Sequence, residues 1–234
     1  LFEKPAFKDV IVTGIVLAED GKKMSKKLKN YPDPWEVLTQ YGADTLRYYL
    51  LSSSLVEAES LNFSKRDLET ITRGLMNLVW NIKTFYETYS AGQKIVLEKP
   101  RSAHVLDRWL FARFQQLLDT VTKSMDGYEL VKATRPIRDF VEDLSTWWLR
   151  RSRDRFTSEN EFDKMDALRT LREILEELAK LMAPFTPFIA EKMYLDVGGS
   201  KASVHLEKWS KVQDRLIDEK LLSDMRWVRQ VASK

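Results

Sequence analysis

Five lysines fall between positions 22 and 29 of this sequence: Lys22, Lys23, Lys26, Lys27 and Lys29. Ammonium groups crowded onto a short flexible segment suit a polyphosphate, whose charge they can neutralise as it redistributes during a reaction. A lysine cluster taken alone is more simply a solvated surface loop. Here the flanks narrow the choice: a β-branched run leads in, Met24 and Ser25 separate Lys23 from Lys26, and Pro32-Asp33-Pro34 closes the segment. A second basic group is Arg150, Arg151, Arg153 and Arg155, offset only by Asp154. On a helix Arg151 and Arg155 share a face at i,i+4, with Trp148 one turn before Arg151. Two readings stand for it: phosphate contact with stacking on RNA, or an ion network at a helix end whose dipole favours cations. Lys132, Arg135 and Arg138 form a further stripe at spacing three, the pattern of a solvated face.

Other chemistries are closed off. The sequence has no cysteine, so thiolate metal sites and disulfides within the chain are excluded, and a reducing, cytoplasmic setting fits. Its two histidines, His104 and His205, lie in no local motif; His104 reads as a surface residue at a helix start, and no metal site is expected. The net charge of +3 neither demands nor excludes nucleic acid, because clustering is what matters. No apolar run approaches the roughly 20 residues of a membrane span. The first residues lack a signal-peptide layout and do not begin with Met, as expected of a piece of a longer protein.

The elements that must position these groups change character along the chain. Positions 7–17 (FKDVIVTGIVL) predict one or two short strands, followed by a turn at Glu19-Asp20-Gly21. Asp33 can cap a helix beginning at Pro34. Beyond it, apolar residues recur at steps of three and four. Helices are predicted over 66–89, 103–125, 129–156 and 162–182, with Gly92 and Pro100 breaking the pattern across 92–102. Pro136 should kink the third helix or move its start. A shorter helix follows Pro184 and Pro187 and ends near Tyr194. Positions 203–206 read as a brief extended piece, and 211–233 as a last helix without a visible partner. Trp80, Trp109 and the phenylalanines are assigned to the core, as are Trp147 and Trp148. Long amphipathic helices with short connections argue for an antiparallel bundle.

The motifs resemble one family in order along nearly the whole chain. Lys23-Met24-Ser25-Lys26-Lys27 resembles the Lys-Met-Ser-Lys-Ser signature of class I aminoacyl-tRNA synthetases, with Lys27 in place of the final Ser. Leu28-Lys29-Asn30-Tyr31-Pro32-Asp33-Pro34 looks like the eukaryote-like isoleucyl branch. Gly42-Ala43-Asp44-Thr45-Leu46-Arg47 resembles the helix that joins catalytic and anticodon domains; taken alone, Asp44 and Arg47 could equally be a plain i,i+3 surface pair. Trp147-Trp148-Leu149-Arg150-Arg151-Ser152-Arg153 and Ala183-Pro184-Phe185-Thr186-Pro187-Phe188 match isoleucyl-group runs. Two departures are Glu57, where related enzymes often place Arg, and the missing His-x-Gly-His motif, which should lie upstream.

The resemblance implies a mainly α architecture. Residues 1–62 would be the tail of a Rossmann-type α/β catalytic domain with the lysine loop and a linking helix. Residues 63–210 would form the helical anticodon-binding domain, and 211–234 would open a further C-terminal helical region. The implied reaction is ATP-dependent activation of isoleucine and its transfer to tRNA(Ile), with Mg2+ accompanying ATP. Lys26 and Lys23 would be catalytic, Lys23, Met24, Ser25 and Lys26 would contact ATP, and Arg150, Arg151, Arg153 and Arg155 would contact tRNA. A monomer is expected, as is inactivity of the chain on its own. A valyl or leucyl relative and a non-catalytic helical RNA-binding protein remain as alternatives.

Overall fold

Only the last two residues of the β-branched N-terminal run find a partner strand. In the computed structural model, which describes residues 4–93, 95 and 102–232, β1 (Val16–Leu17) pairs in parallel with β2 (Leu61–Asn62). Positions 7–15 take no regular structure, and Val10, Ile11 and Val12 are exposed. Gly14 is required where it stands, because a Cβ there would lie 1.8 Å from the Glu59 carbonyl oxygen. The crossover between the strands carries α1 (Pro34–Tyr41) and α2 (Ala43–Leu51). Asp33 caps α1 as expected, accepting from the Trp35 N–H at 2.8 Å, with Pro34 at the first position, where its missing N–H costs nothing.

The bundle follows. α3 (Lys65–Ile71) runs through a π-helical stretch at Thr72–Met76 into α4 (Asn77–Ser90), so the helix predicted over 66–89 is present with an inserted bulge. The break predicted across 92–102, including Pro100, lies mostly outside the described residues. α5 (Val105–Asp126) packs on α6 (Leu130–Glu142), which contains Pro136 without a shift of its start. The chain then continues as a π-helical stretch at Asp143–Leu149, a single turn α7 (Arg150–Ser152) and a 3-10 turn at Arg153–Thr157. α8 (Glu161–Met182) and α9 (Pro187–Asp196) form the next antiparallel pair. The core is contributed by all of them: Leu75, Phe114, Phe140, Trp148, Leu171 and Leu175 are fully buried or nearly so, each stabilising the fold by about 1.5–3 kcal/mol.

Several expectations are corrected. Positions 203–206 do not extend: Val204–Leu206 is a 3-10 turn, with the Ser203 hydroxyl accepting from the His205 N–H. The last helix, α10 (Glu219–Ala232), starts eight residues later than 211 and has a partner. Leu222 and Met225 are buried against the bundle, the Trp147 indole N–H reaches the Met225 sulfur at 3.1 Å, and Arg229 pairs with Asp143; the predicted end at 233 lies outside the described residues. Trp109 and Trp148 are core, but Trp80 is 45% exposed, with the Lys83 ammonium 4.2 Å from its ring centroid. Phe7, Phe162 and Phe188 are exposed as well. Among the described residues no helix is long and apolar enough to cross a membrane.

Candidate functional site

The lysine loop is held at its base and free at its tip. β1 ends at a tight turn in which the Ala18 and Lys22 backbones bond and Gly21 takes φ 77°, and Lys23 bridges back to Leu17. Asn30 closes the far side. Its carboxamide donates to the Lys23 carbonyl at 3.2 Å and accepts from the Ser25 N–H at 2.9 Å. Inside that clamp the Ser25 carbonyl accepts from the Lys29 N–H, Ser25 Oγ accepts from the Leu28 N–H, and Lys29 sits in the left-handed region at φ 49°. Met24 is half-buried and packs against the core, an apolar anchor between Lys23 and Ser25. Asn30 is a residue whose role the sequence reading missed, although it belongs to the Lys-Asn-Tyr-Pro run; a polar side chain in a loop gives no sign of which backbone it will bond.

The lysines themselves are exposed. Lys22 pairs with Asp20 at 3.0 Å, whereas Lys23, Lys26, Lys27 and Lys29 have no carboxylate within ion-pair distance among the described residues. Four uncompensated ammonium groups within seven positions form an anion site by charge and exposure. No cluster of three His, Asp or Glu that could hold a metal occurs among the described residues. The loop's donor set is cationic and fits a polyphosphate.

The four arginines do not share one environment. Arg150, Arg151 and Arg153 are exposed, and the Arg151 guanidinium lies 3.7 Å from the centroid of the Trp147 ring. Arg229 of α10 lies 5.6 Å from the same ring, so cations from two helices converge on one half-buried indole. Beside it, Trp109, Arg113, Asp143, Arg226 and Arg229 line a cleft of about 800 Å³.

Arg155 turns inward, and of the two readings open for the run it takes the ion network. It is 7% exposed, and its Nη1 and Nη2 bind the two oxygens of Asp107 at 2.8 and 2.9 Å while Nε binds Asp163 at 2.7 Å. Asp107 is fully buried and also accepts from the Trp148 indole N–H at 2.9 Å and from the Ser102 hydroxyl. Burial works against the Arg155 charge, but Asp107 and Asp163 outweigh it and hold the guanidinium above its ordinary pKa. All three nitrogens are used within the fold, which leaves none directed at a phosphate. The i,i+4 geometry also fails locally, because the backbone tightens from α7 into the 3-10 turn between Arg151 and Arg155. The stripe at 132, 135 and 138 is exposed, as a solvated face should be, with Lys132 paired to Glu129, Arg135 donating to the Ser52 carbonyl at 3.3 Å and the Arg138 guanidinium near Gly74.

Asp44 and Arg47 are not a surface pair. Asp44 is 8% exposed and accepts from the N–H groups of Phe188 and Ile189 at 3.3 and 2.7 Å, which caps α9. Burial pushes its carboxyl upward against the pull of those two donors. Arg47 donates to the carbonyls of Phe185 and Pro184 at 3.3 and 3.1 Å. Two motifs recognised separately in the sequence thus dock on each other. His104 caps α5, its Nδ1 accepting from the Leu106 N–H at 3.3 Å, and is half-buried rather than on the open surface.

Comparisons with known proteins agree in direction. Residues 107–234 match the family described as the anticodon-binding domain of tRNA ligase, and residues 1–62 match tRNA synthetases class I (I, L, M and V). The chain is 41% identical, over its whole length, to the isoleucine–tRNA ligase of Protochlamydia amoebophila, covering 23% of that protein. It is 42% identical to the one from Chlamydia trachomatis over 96% of this chain and 22% of that protein. The chain thus spans less than a quarter of the length of these relatives. Among solved structures, LeuRS of Agrobacterium radiobacter, in a ternary complex with tRNA and LeuAMS, superposes with a TM-score of 0.67 at 22% identity. That match covers 88% of this chain and 24% of the other. The methionyl-tRNA synthetase of Mycobacterium tuberculosis, in complex with methionyl-adenylate, superposes at 0.63 with 24% identity over 76% of this chain and 36% of that one. At such identity the two structures speak for the fold.

Proposed function

The chain belongs to the class I aminoacyl-tRNA synthetases and carries their anticodon-binding domain, and from that premise we propose that it works as part of an isoleucine–tRNA ligase. The observation that carries the reading is identity at the 41% level across the entire chain with enzymes of that name. The uncompensated lysine loop supports it at the level of chemistry. The parent reaction joins isoleucine to ATP as an adenylate with loss of pyrophosphate, then transfers the aminoacyl group to tRNA(Ile) with release of AMP.

In this chain the Lys26 ammonium meets charge developing at the α-phosphate as pyrophosphate leaves, and Lys23 assists from the other side of Met24 and Ser25. The Asn30 clamp fixes the loop's two ends and leaves the lysines free to follow the phosphates, so less reorganisation is needed at the moment of reaction. Mg2+ bound by ATP would neutralise phosphate charge, held by the nucleotide's own phosphates. Exposed Arg150, Arg151 and Arg153 serve tRNA phosphates, and the Arg151–Trp147 stack offers a flat surface to an unpaired base. Residues 1–62 act as the end of the catalytic domain, 63–210 as the anticodon-binding domain and 211–234 as the start of the next helical region. On this reading the protein acts in the cytoplasm as a monomer.

The test is ATP–pyrophosphate exchange by the full-length gene product with isoleucine, valine and leucine in parallel. Isoleucine-dependent exchange in the full-length protein, with background activity in the 234-residue chain alone, is the expected pair of results, because catalysis needs both halves of the site held together. Exchange with valine or leucine in preference to isoleucine would overturn the amino-acid assignment. Clear exchange by the isolated chain would overturn the half-site reading.

A further inference from the structure

Helix α10 lies on the bundle in two unlike halves. The first half is held by apolar burial: Leu222 and Met225 face inward, and the Met225 sulfur accepts from the Trp147 indole N–H. Asp218, just before the helix, pairs with Arg108 of α5 at 2.9 Å. Beyond Met225 the contact changes in kind. Of positions 226–232 only Arg229 is withdrawn from solvent, while Trp227, Val228 and Val231 are exposed. Arg229 reaches Asp143 in the π-helical stretch, and its guanidinium lies 5.6 Å from the Trp147 ring and 5.8 Å from the Trp109 ring. This half thus brings a charge to the bundle where the first half brings apolar surface.

Asp143 is shared. One of its oxygens takes Arg229 and the other takes Nε of Arg113 in α5 at 3.0 Å, and the residue is 7% exposed. Breaking a buried ion pair is costly mainly because it strands a charge. Here Arg113 stays on Asp143 when Arg229 leaves, so the carboxylate keeps a partner. The Arg229 side chain is already a third in water. Both groups line the cleft beside Trp147, whose walls carry the guanidiniums of Arg113, Arg226 and Arg229 against the carboxylates of Asp139 and Asp143. One positive charge is left over with the pair closed, which favours an anion beside Arg229.

We propose that Arg229 is an exchangeable tether: phosphate oxygens of an RNA entering the cleft displace Asp143 from its guanidinium, and the half of α10 beyond Met225 lifts with it. The exchange replaces a carboxylate by another oxyanion that a guanidinium binds through two N–H groups, and Arg113 neutralises the carboxylate left behind. The class of ligand follows from that trade. A neutral or cationic molecule has nothing to offer Arg229, and a monoanion offers no more than Asp143 already does. A polyanion gains Arg226 as well. That the polyanion is RNA rests on the function proposed above, whereas the tether rests on the bonds just described.

Distance and affinity test this together. The chain lacks cysteine, so spin labels at Thr120→Cys and Val231→Cys, both exposed positions, report the spacing of α5 and the end of α10 in the 234-residue chain. At low salt the distribution should be narrow without ligand, and longer and broader with saturating tRNA(Ile) transcript or with inorganic tripolyphosphate. Arg229→Gln should be broad from the start and respond little to either. No change in the parent with either probe, or an Arg229→Gln distribution as narrow as the parent's, overturns the tether. Lengthening with tRNA but not with tripolyphosphate overturns exchange by phosphate and points to a base that wedges the helix off.

Affinity supplies a readout that a purely structural role would not move. Asp143→Asn relieves Arg229 of its competitor and should tighten tRNA binding about two- to fivefold, the worth of one partly exposed ion pair. Asp139→Asn removes an equal charge from the same cleft outside the pair, and should tighten it by less. Equal gains from the two would reduce the effect to overall charge and sink the exchange. The label measurement on Arg229→Gln leaves Asp143 in place, so it decides the tether even where Asp143→Asn does not fold. An unmodified full-length protein without isoleucine-dependent exchange would fell the proposed function, while the label distances still decide the tether.

Discussion

The two basic clusters of this molecule treat their charges in opposite ways. In the loop, Lys23, Lys26, Lys27 and Lys29 stand in solvent without carboxylate partners among the described residues, on a backbone clamped by Asn30. At the end of the third long helix, Arg155 is buried between two aspartates, while Arg150, Arg151 and Arg153, two to five residues before it, stay exposed. A hydrated ammonium costs folding nothing and remains available to an incoming anion. A buried guanidinium must recover its lost hydration, and the bidentate bond to Asp107 is the geometry that recovers most. Partnership, rather than charge density, separates a cation kept for a ligand from one kept for the fold.

The sharpest break of that contrast is Asp107→Ala. It leaves Arg155 buried without its main partner and the Trp148 indole N–H without an acceptor. The expected loss of stability is about 3–5 kcal/mol, read by denaturant unfolding of the chain. A loss under about 1 kcal/mol would mean that water replaces Asp107 and that the network is not what holds this corner.

Next is Lys26→Ala in the full-length enzyme, which should slow adenylate formation by about 10²–10³-fold, the effect of deleting one transition-state donor. Isoleucine affinity and the melting temperature should hardly move, since the exposed Lys26 ammonium has no carboxylate within ion-pair distance among the described residues. Collapse of isoleucine affinity with the rate spared would move the lysine out of the phosphate site.

Changing Arg150 and Arg151 together to Gln sharpens the comparison within the arginine run. Each lost phosphate contact should flatten the slope of log affinity against log salt by about 0.7–0.9 in a tRNA titration, with little change in melting. Pairing Arg151 with Arg155 would mix two effects, because Arg155 belongs to the interior. An unaltered slope for the Arg150 and Arg151 change would leave the RNA surface elsewhere, with the cleft beside Trp147 the next place to look.

The smallest effect concerns acid stability. Hydrogen bonds from the Tyr194 hydroxyl, together with Lys201 and Ser200, hold Glu207 down to about 2 from its ordinary 4.5. A depressed carboxylate contributes stability that is complete above its unfolded pKa and is lost as pH falls through the folded one. The melting temperature of the chain should therefore drop more steeply between pH 4.5 and about 2 than that of Glu207→Gln. Parallel curves would show that Glu207 carries no linkage.

Much of the scaffold was legible because helix periodicity is a local property. The apolar steps at 66–89, 103–125, 129–156 and 162–182 located the long helices to within a few residues, and Asp33-Pro34 located the start of α1. The π-helical insertions at 72–76 and 143–149 were not legible, since one extra residue in a turn shifts the stripe without erasing it. The loop motif was readable as a motif, but the Asn30 clamp was not, because both of its bonds go to backbone atoms that any residue could supply.

By itself, then, the sequence determined the helices, the lysine loop and the family, all carried by residues close together in the chain. Tertiary structure alone decided which charges are spoken for. Arg155 and Arg151 look alike in sequence, and what separates them is an aspartate 48 residues upstream of Arg155 that folding brings within 2.8 Å. Asp44 and Arg47 look like neighbours on one helix, yet each bonds a corner more than 130 residues away. Periodicity tells which face of a helix is apolar; only packing supplies the neighbour that covers it, and with it the partner that fixes or frees each charge.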